Sequence, residues 1–389
     1  MLRVLQLTSS PWGIGGVERL LLDSAGRFDR DRFEISYCNL FDEKDGNGEF
    51  SGGLRQRGAP YFHIPGCRYR DLPGIVLRLA SLLRREKIQV LQVQMLHATI
   101  VGVVAARLAR VPVVLVNRQY TDEGYDNHGA LIRKLDLSLT QTANHVTTCS
   151  AQVRDTILSQ TTLPPERVGV IHNGIDLAVF DAAARAGSPF WDRSWENGIL
   201  LGTAGSLNPR KGHADLLHAL ARVLKVRPDV RLVIVGEGRE RARLEALADR
   251  LGIRSKVLLA GFQMDVATLM QHLTFYVHPS RHEPFGISLI EAMGARKAIV
   301  ASAVGGIPDI VVDGQTGLLV PPSDPESLAE AILRLIREPE AAQRMGERGR
   351  ARVEECFTIS TVVDRYQELF SCLAERVEVR NTIGSVGTA

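Results

Sequence analysis

Leu2-Arg3-Val4-Leu5-Gln6-Leu7, running into Thr8-Ser9-Ser10-Pro11-Trp12-Gly13-Ile14-Gly15-Gly16, decides the fold of this chain. The first run is short, apolar and β-rich. The second is made of turn formers, and an amphipathic helix is expected from about Val17 to Phe28. Strand, glycine turn and helix open a doubly wound α/β domain. The turn is not a dinucleotide fingerprint, because in G-x-G-x-x-G register from Gly13 the third glycine position holds Glu18. Adjacent glycines at a helix N-terminus still let a phosphate approach backbone N–H groups. On this stretch alone a plain tight turn reads slightly better.

The same alternation continues outward. Strands are expected at Phe33–Leu40, Tyr61–Ile64, Val90–Gln94, Val111–Val116, His145–Thr148 and Val168–Ile171. Helices fall at Gly74–Arg85, Ala98–Leu108, Ala130–Thr142 and Ala151–Leu158. Such alternation implies a parallel sheet covered on both faces, with ligands at the strand C-terminal ends. Two of those ends are polar: Gln92, Gln94 and His97, then Asn117, Arg118 and Gln119. A domain boundary is expected in the polar, aperiodic stretch Asp181–Asn197. From Gly198 a second series begins, with strands at Ile199–Thr203, Leu232–Val235, Val257–Leu259, Phe275–Val277, Ala298–Ala301 and Gly317–Val320. The expected architecture is α/β, with residues 1–180 and 198–357 forming two Rossmann-like domains that face each other across a cleft. Helical periods at Pro325–Arg337, Glu340–Glu355 and Thr358–Glu375 follow, and the small polar residues from Val377 onward are expected to fray.

Within the second series, Ser280-Arg281-His282-Glu283-Pro284-Phe285-Gly286-Ile287-Ser288-Leu289-Ile290-Glu291 places two carboxylates eight residues apart. Pro284 and Gly286 break any helix before them, and a short apolar helix then runs to about Gly294. Glu283 lies just outside the helix N-terminus and Glu291 about a turn inside it. Carboxylate, free amide donors and carboxylate suit a sugar, a diphosphate and a ribose in that order. An acid near a helix N-terminus is also favourable with no ligand at all. Gly202–His213 adds a strand, loop and helix entrance carrying Arg210 and Lys211, cations that suit a diphosphate. It is not a Walker loop, since Arg210 occupies the second glycine position. Phe262, after Gly261, is placed to flank a base.

The 389 residues have 45% hydrophobic and 23% charged content and a net charge of +3, an ordinary soluble mix of two or three domains that does not demand nucleic acid. The five cysteines, Cys38, Cys67, Cys149, Cys356 and Cys372, have no zinc or redox spacing, which points to a reducing compartment. No run reaches 18 apolar residues, so neither a signal peptide nor a transmembrane helix is expected. The segment Leu72–Lys87 is basic and amphipathic. It reads as a core helix with a solvated face or as a helix lying on anionic lipid. The expected location is the cytoplasm, at the inner face of the membrane on the second alternative.

GGVER (Gly15–Arg19), VIHNGID (Val170–Asp176), GSLNPRKG, the Glu-x7-Glu stretch from Glu283 to Glu291, and GGIPDIVVDGQTGLLV (Gly305–Val320) together resemble the retaining glycosyltransferases of family 4, with the GT-B fold, over nearly the whole chain. The resemblance implies a nucleotide-sugar donor in the second domain, an acceptor mainly in the first, residues 358–389 as a last helix and tail crossing back to the first domain, and no required metal or cofactor. It places Lys211 on the donor diphosphate, with Gly15 and Gly16 approaching the same phosphates. Glu283 and the backbone of Phe285, Gly286 and Ile287 hold the sugar, Glu291 holds ribose hydroxyls, and Phe262 borders the base. Two departures stand out. Ser206 replaces a usual arginine, with Arg210 nearby, and Arg118 stands where many members have a histidine. Arginine cannot act as a base, so Arg118 is expected to orient an acceptor or neutralise charge, with His97 the alternative contact. The reaction implied is glycosyl transfer to a glycan, lipid-linked or small-molecule acceptor in polysaccharide or glycolipid biosynthesis. The alternatives are a sugar-nucleotide epimerase on the same fold and a non-catalytic sugar- or nucleotide-binding protein.

Overall fold

A computed structural model describes residues 1–10, 15–41, 48–64, 71–121, 128–186, 195, 198–263 and 265–386. Gly13, Cys67, residues 42–47 and 122–127 and part of the stretch Asp181–Asn197 lie outside the described residues. The chain forms two compact units, one of Met1–Asn173 with Ile359–Ala389, the other of Gly174–Thr358.

The first unit holds a parallel sheet of β1 (Leu2–Thr8), β2 (Phe33–Asn39), β3 (Val90–Gln94), β4 (Val113–Arg118), β5 (His145–Thr148) and β6 (Val168–Val170), in the order β2-β1-β3-β4-β5-β6. Side chains alternate along a strand, so each strand serves two cores. Leu5, Leu7, Leu91, Val93, Val114 and Val116 pack with Ile75, Leu79, Leu83 and Val101 from helices Leu72–Arg85 and Leu96–Ala109. Their neighbours Val4, Val90, Val113 and Leu115 pack on the opposite face with Leu20, Phe28, Val362, Tyr366 and Phe370. The last three belong to helix Ile359–Val386, and the Phe370 ring stacks on Phe28 at 6.3 Å.

The second unit repeats the design with β7 (Ile199–Ala204), β8 (Val230–Val235), β9 (Val257–Gly261), β10 (Phe275–His278), β11 (Ala298–Ser302) and β12 (Gly317–Val320), in the order β12-β11-β10-β7-β8-β9. Both sheets are parallel, and both reverse their chain order once, as doubly wound folds do.

Several segments depart from expectation. Tyr61–Ile64 is not a strand of the sheet. Tyr61 makes one bridge with Tyr37, and Pro60, which has no N–H, precedes it at the sheet edge. Glu49–Gln56 is helical where the sequence marks no element, despite Gly52 and Gly53. Phe50 and Leu54 bury themselves against Leu21, Leu22 and Tyr37, and a Cβ on Gly53 would sit 2.9 Å from Leu22, so packing at close range overrides weak helix propensity. At the end of the chain the helix continues to Val386 rather than fraying from Val377.

Candidate functional site

The second sheet reverses between β7 and β10, and the loops leaving those two strands carry Arg210, Lys211 and Glu283. After β7, Pro209–Lys211 forms a tight turn capped by Asn208, whose Oδ1 accepts from the Arg210 N–H at 3.0 Å. Gly212 then takes φ +66°, and a Cβ there would lie 1.9 Å from the Pro279 carbonyl oxygen, so only glycine lets the two loops touch. The contact is fixed from the other side. The Arg281 N–H donates to the Arg210 carbonyl at 2.7 Å, and the Arg281 guanidinium forks onto Asp215 with two bonds of 2.7 Å. A third loop closes behind Glu283. Gly306 N–H donates to the Glu283 carbonyl at 2.9 Å, and a Cβ on Gly305, at φ +65°, would stand 1.8 Å from that oxygen.

These backbone contacts bring Lys211 and Glu283 together. Lys211 Nζ lies 2.6 Å from Glu283 Oε2, with 25% of the lysine side chain and 7% of the glutamate side chain exposed. Two further groups reach the same oxygen: His278 Nε2 at 2.7 Å and the Ser280 hydroxyl at 3.2 Å. Burial alone would raise the Glu283 carboxyl, but the Lys211 charge and the His278 hydrogen bond outweigh it and hold it well below the usual carboxylate range. His213, at the start of helix His213–Val223, is pushed down to about 3, first by burial and then by His278 and Lys211. It is therefore neutral near pH 7.

Of the remaining donor-side residues, Arg210, Phe285, Gly286, Ile287 and Glu291 lie on the same loops or in the following helix, Ile287–Gly294. That helix has no side-chain cap, and its N-cap is Gly286 at φ +110°. The Phe285 side chain is buried against Phe357, ring centroids 6.1 Å apart, so only its backbone is available to a ligand. Glu291 is half-buried inside the helix. Burial raises the Tyr276 phenol, and the charges of Glu291 and Glu283 add to that shift. Phe262 follows β9 and is 69% exposed, an unusual state for a large aromatic. Arg210 is half-buried.

In the first unit, Gly15 caps helix Gly16–Ser24. The buried Glu18 accepts from the Gly15 N–H at 3.1 Å and from the Thr8 hydroxyl at 2.8 Å, so the end of the glycine turn is tied to β1. Burial raises the Glu18 carboxyl, against those hydrogen bonds. His97 is half-buried beside Phe41 and His128, ring centroids 5.8 and 5.2 Å away. Burial and then the His128 charge lower it. Arg118, expected at an acceptor, is 1% exposed. Its guanidinium pairs with the fully buried Asp136 at 2.7 Å, bonds Thr140 and Tyr120, and stacks over the Tyr120 ring at 4.8 Å. That geometry places its charge inside the unit, where it anchors the end of β4 to helix Ala130–Thr140.

Three site residues escaped sequence reasoning: Tyr276, His278 and Ser280. The signal was present, since polar or amphipathic residues at every second position leaving a strand share one face and lead to Glu283. Among the described residues no group of three His, Cys, Asp or Glu side chains could hold a metal ion, and no helix is long and apolar enough to cross a membrane.

Two family models divide the chain between them. Residues 14–179 match "Glycosyltransferase Family 4" and residues 191–352 match "Glycosyl transferases group 1". The chain belongs to this glycosyltransferase family. Among its relatives is the lipopolysaccharide core biosynthesis mannosyltransferase LpcC of Rhizobium leguminosarum bv. viciae, 29% identical over 76% of this chain and 80% of that protein. A glycogen synthase of Mycobacterium tuberculosis is 30% identical over 62% of this chain. The match spans 58% of that enzyme's length. The solved structure of Anabaena HepE in complex with UDP-glucose shares 24% identity at a TM-score of 0.82, covering 96% of this chain and all of that one. Sucrose-phosphate synthase of Thermosynechococcus elongatus has a TM-score of 0.79 at 21% identity, covering 96% and 99%. The fold is accordingly GT-B, with two Rossmann-like domains.

Proposed function

We propose that this protein is a retaining glycosyltransferase that moves a hexose-type sugar from a nucleoside-diphosphate sugar to a hydroxyl of a glycan, lipid-linked or small-molecule acceptor, with no metal or cofactor. The observation that carries the reading is the meeting of Lys211 and Glu283, 2.6 Å apart, on the two loops that leave the switch-point strands of the second sheet. Cation and anion side by side suit a donor whose diphosphate is anionic and whose sugar offers hydroxyl donors. Lys211, with Arg210 beside it, takes the diphosphate. Glu283 and the backbone amides at Phe285, Gly286 and Ile287 take the sugar, Glu291 the ribose, and Phe262 the base. In the first unit, Gly15 and Gly16 are assigned as glycines that a phosphate can approach and His97 as an acceptor contact. Arg118 acts by holding the end of its strand.

In the reaction the bond between the anomeric carbon and the diphosphate oxygen breaks. The acceptor oxygen forms its bond on the same face, and the acceptor proton passes to the departing phosphate oxygen. Negative charge grows on the leaving group, so Lys211 and the helix-end amides stabilise the transition state more than the bound donor. The test is a thermal-shift panel of UDP-, GDP- and ADP-sugars, since ligand binding raises stability by mass action. It is followed by transfer assays in which the product's anomeric configuration is read by NMR. Nucleoside diphosphate released at the same rate with and without acceptor would favour the epimerase reading and end this one. Loss of transfer in EDTA would end its metal independence.

A second partner is assigned to the first unit. On helix Leu72–Arg85, Leu77 is 65% exposed, and Arg84, Arg85 and Lys87 are exposed toward its C-terminal end. An exposed leucine with cations suits peripheral contact with anionic lipid at the cytoplasmic face of a membrane. Co-sedimentation with phosphatidylglycerol vesicles but not with phosphatidylcholine vesicles is the expected result. Equal recovery with both would remove it.

A further inference from the structure

Glu283 is supported unequally. Lys211, the partly exposed partner, has a long flexible stem and is the group the proposed donor diphosphate would draw toward itself. His278 is the opposite kind of support. It ends β10, its side chain is 3% exposed, and its ring lies 6.1 Å from the Tyr276 ring at 28°. Tyr276 is itself fixed to β7, accepting from the Ala204 N–H at 3.1 Å and donating to the Ala204 carbonyl at 3.2 Å. The Ser280 hydroxyl lies 3.1 Å from His278 Nε2 and 3.2 Å from Glu283 Oε2, bracing both. Among the described residues these bonds converge on Oε2, and none reaches Oε1.

We propose, on the reading that Glu283 holds the donor sugar, that His278 is a positioning residue: its Nε2–H fixes Glu283 Oε2, so that Oε1 stays aimed at a sugar hydroxyl after Lys211 engages the diphosphate. A carboxylate can only accept, so the proton on the imidazole must sit on Nε2. Nδ1 is left toward the Tyr276 hydroxyl, 3.5 Å away. The charged groups facing the imidazole are Glu283 and Lys211. His213 on the neighbouring helix is neutral, and Glu291 acts from the helix beyond Tyr276. A histidine clamped in one tautomer holds a carboxylate by a short charge-assisted bond without competing for the phosphate, which a lysine in its place could not do.

The test uses the full chain. Long-range 1H–15N correlation of the wild-type protein is expected to show His278 as the Nε2–H tautomer; an Nδ1–H tautomer would overturn the assignment. With UDP-glucose, GDP-mannose and ADP-glucose as probes, His278→Leu is expected to lower kcat by about 10- to 100-fold, the loss of one hydrogen bond to a charged group. Affinity for the free nucleoside diphosphate should remain within about twofold, because the imidazole is not assigned to that part of the ligand. His278→Gln, whose amide can donate from a similar place, should recover most of the loss. A leucine variant within about threefold of wild type in kcat, or a folded glutamine variant as poor as leucine, sinks the proposal. If His278→Leu does not fold, the tautomer and the glutamine variant still decide. A wild-type protein that turns over no nucleotide sugar would instead strike the transferase reading, which the tautomer measurement does not depend on.

Discussion

Breaking the Lys211–Glu283 pair from its two ends should cost unequal amounts of stability. Lys211→Met leaves a carboxylate whose side chain is only 7% exposed, still bonded by His278 and Ser280 but without its cation. Removing one partner of a buried pair costs about 3–5 kcal/mol, and the two remaining hydrogen bonds reduce this here to roughly 2–3 kcal/mol. Glu283→Gln leaves a lysine that is 25% exposed and can turn to water. The glutamine keeps the volume and can still accept from Lys211, so the expected loss is about 1 kcal/mol. Urea unfolding at pH 7 with an unchanged m-value measures both. Activity should not follow the same order. Glu283→Gln should lower kcat by roughly 10- to 100-fold, because a neutral amide is a weaker acceptor for a sugar hydroxyl. If Glu283→Gln proves as destabilising as Lys211→Met, the burial argument fails. If its turnover is near normal, Glu283 is not at the site.

The depressed Glu283 carboxyl also sets an acid limit. It contributes stability above the ordinary value of 4.5 and loses it as pH falls below that toward its low folded value, so Glu283→Gln should flatten the stability curve below pH 4.5. His145, lowered to about 4 by burial, Arg376 and Arg167, is neutral when folded and takes a proton on unfolding below about 6.5. Stability is expected to fall as pH drops from 6.5 to 4, and His145→Gln should weaken that slope in a pH series of melts. Gly305→Ala should abolish activity and destabilise strongly, because its Cβ meets the Glu283 carbonyl oxygen. Gly314→Ala, at φ +69° with nothing within 4 Å, should lose only about 1 kcal/mol in the same urea assay. Asp136→Ala strands the Arg118 charge in the first unit and should cost about 3–5 kcal/mol in that assay, with Asp136→Leu/Arg118→Met closer to wild type.

The parts of this fold legible in the sequence are those carried by local patterns. Strands such as Val90–Gln94 and His145–Thr148 announce themselves by their β-branched valines and threonines, and the helix after Gly286 by its glycine entrance and apolar stretch. Tertiary packing hid the rest. The helix Glu49–Gln56 contains two glycines that argue against it locally, and Leu177–Ala186 begins before a stretch that reads as linker. Phe180 and the Arg350 fork onto Asp181, at 2.8 and 3.0 Å, tie that helix to residues far along the chain. The site shows the same divide. Glycines and charged residues mark its loops. The partner that draws Arg118 inward is eighteen positions away on another element, and no local pattern reveals it.

The helix Ile359–Val386 belongs to the same unit as the opening strand, with the whole second unit spliced between them. A ribosome therefore delivers Phe28 and Phe33 more than three hundred residues before Phe370, the ring that covers them both. At synthesis speeds of about 5–20 residues per second, the early sheet waits tens of seconds with one side only partly covered, while the later, uninterrupted unit can close as soon as it emerges. Newborn chains should thus be most vulnerable to chaperone capture and clumping on the face that was made first.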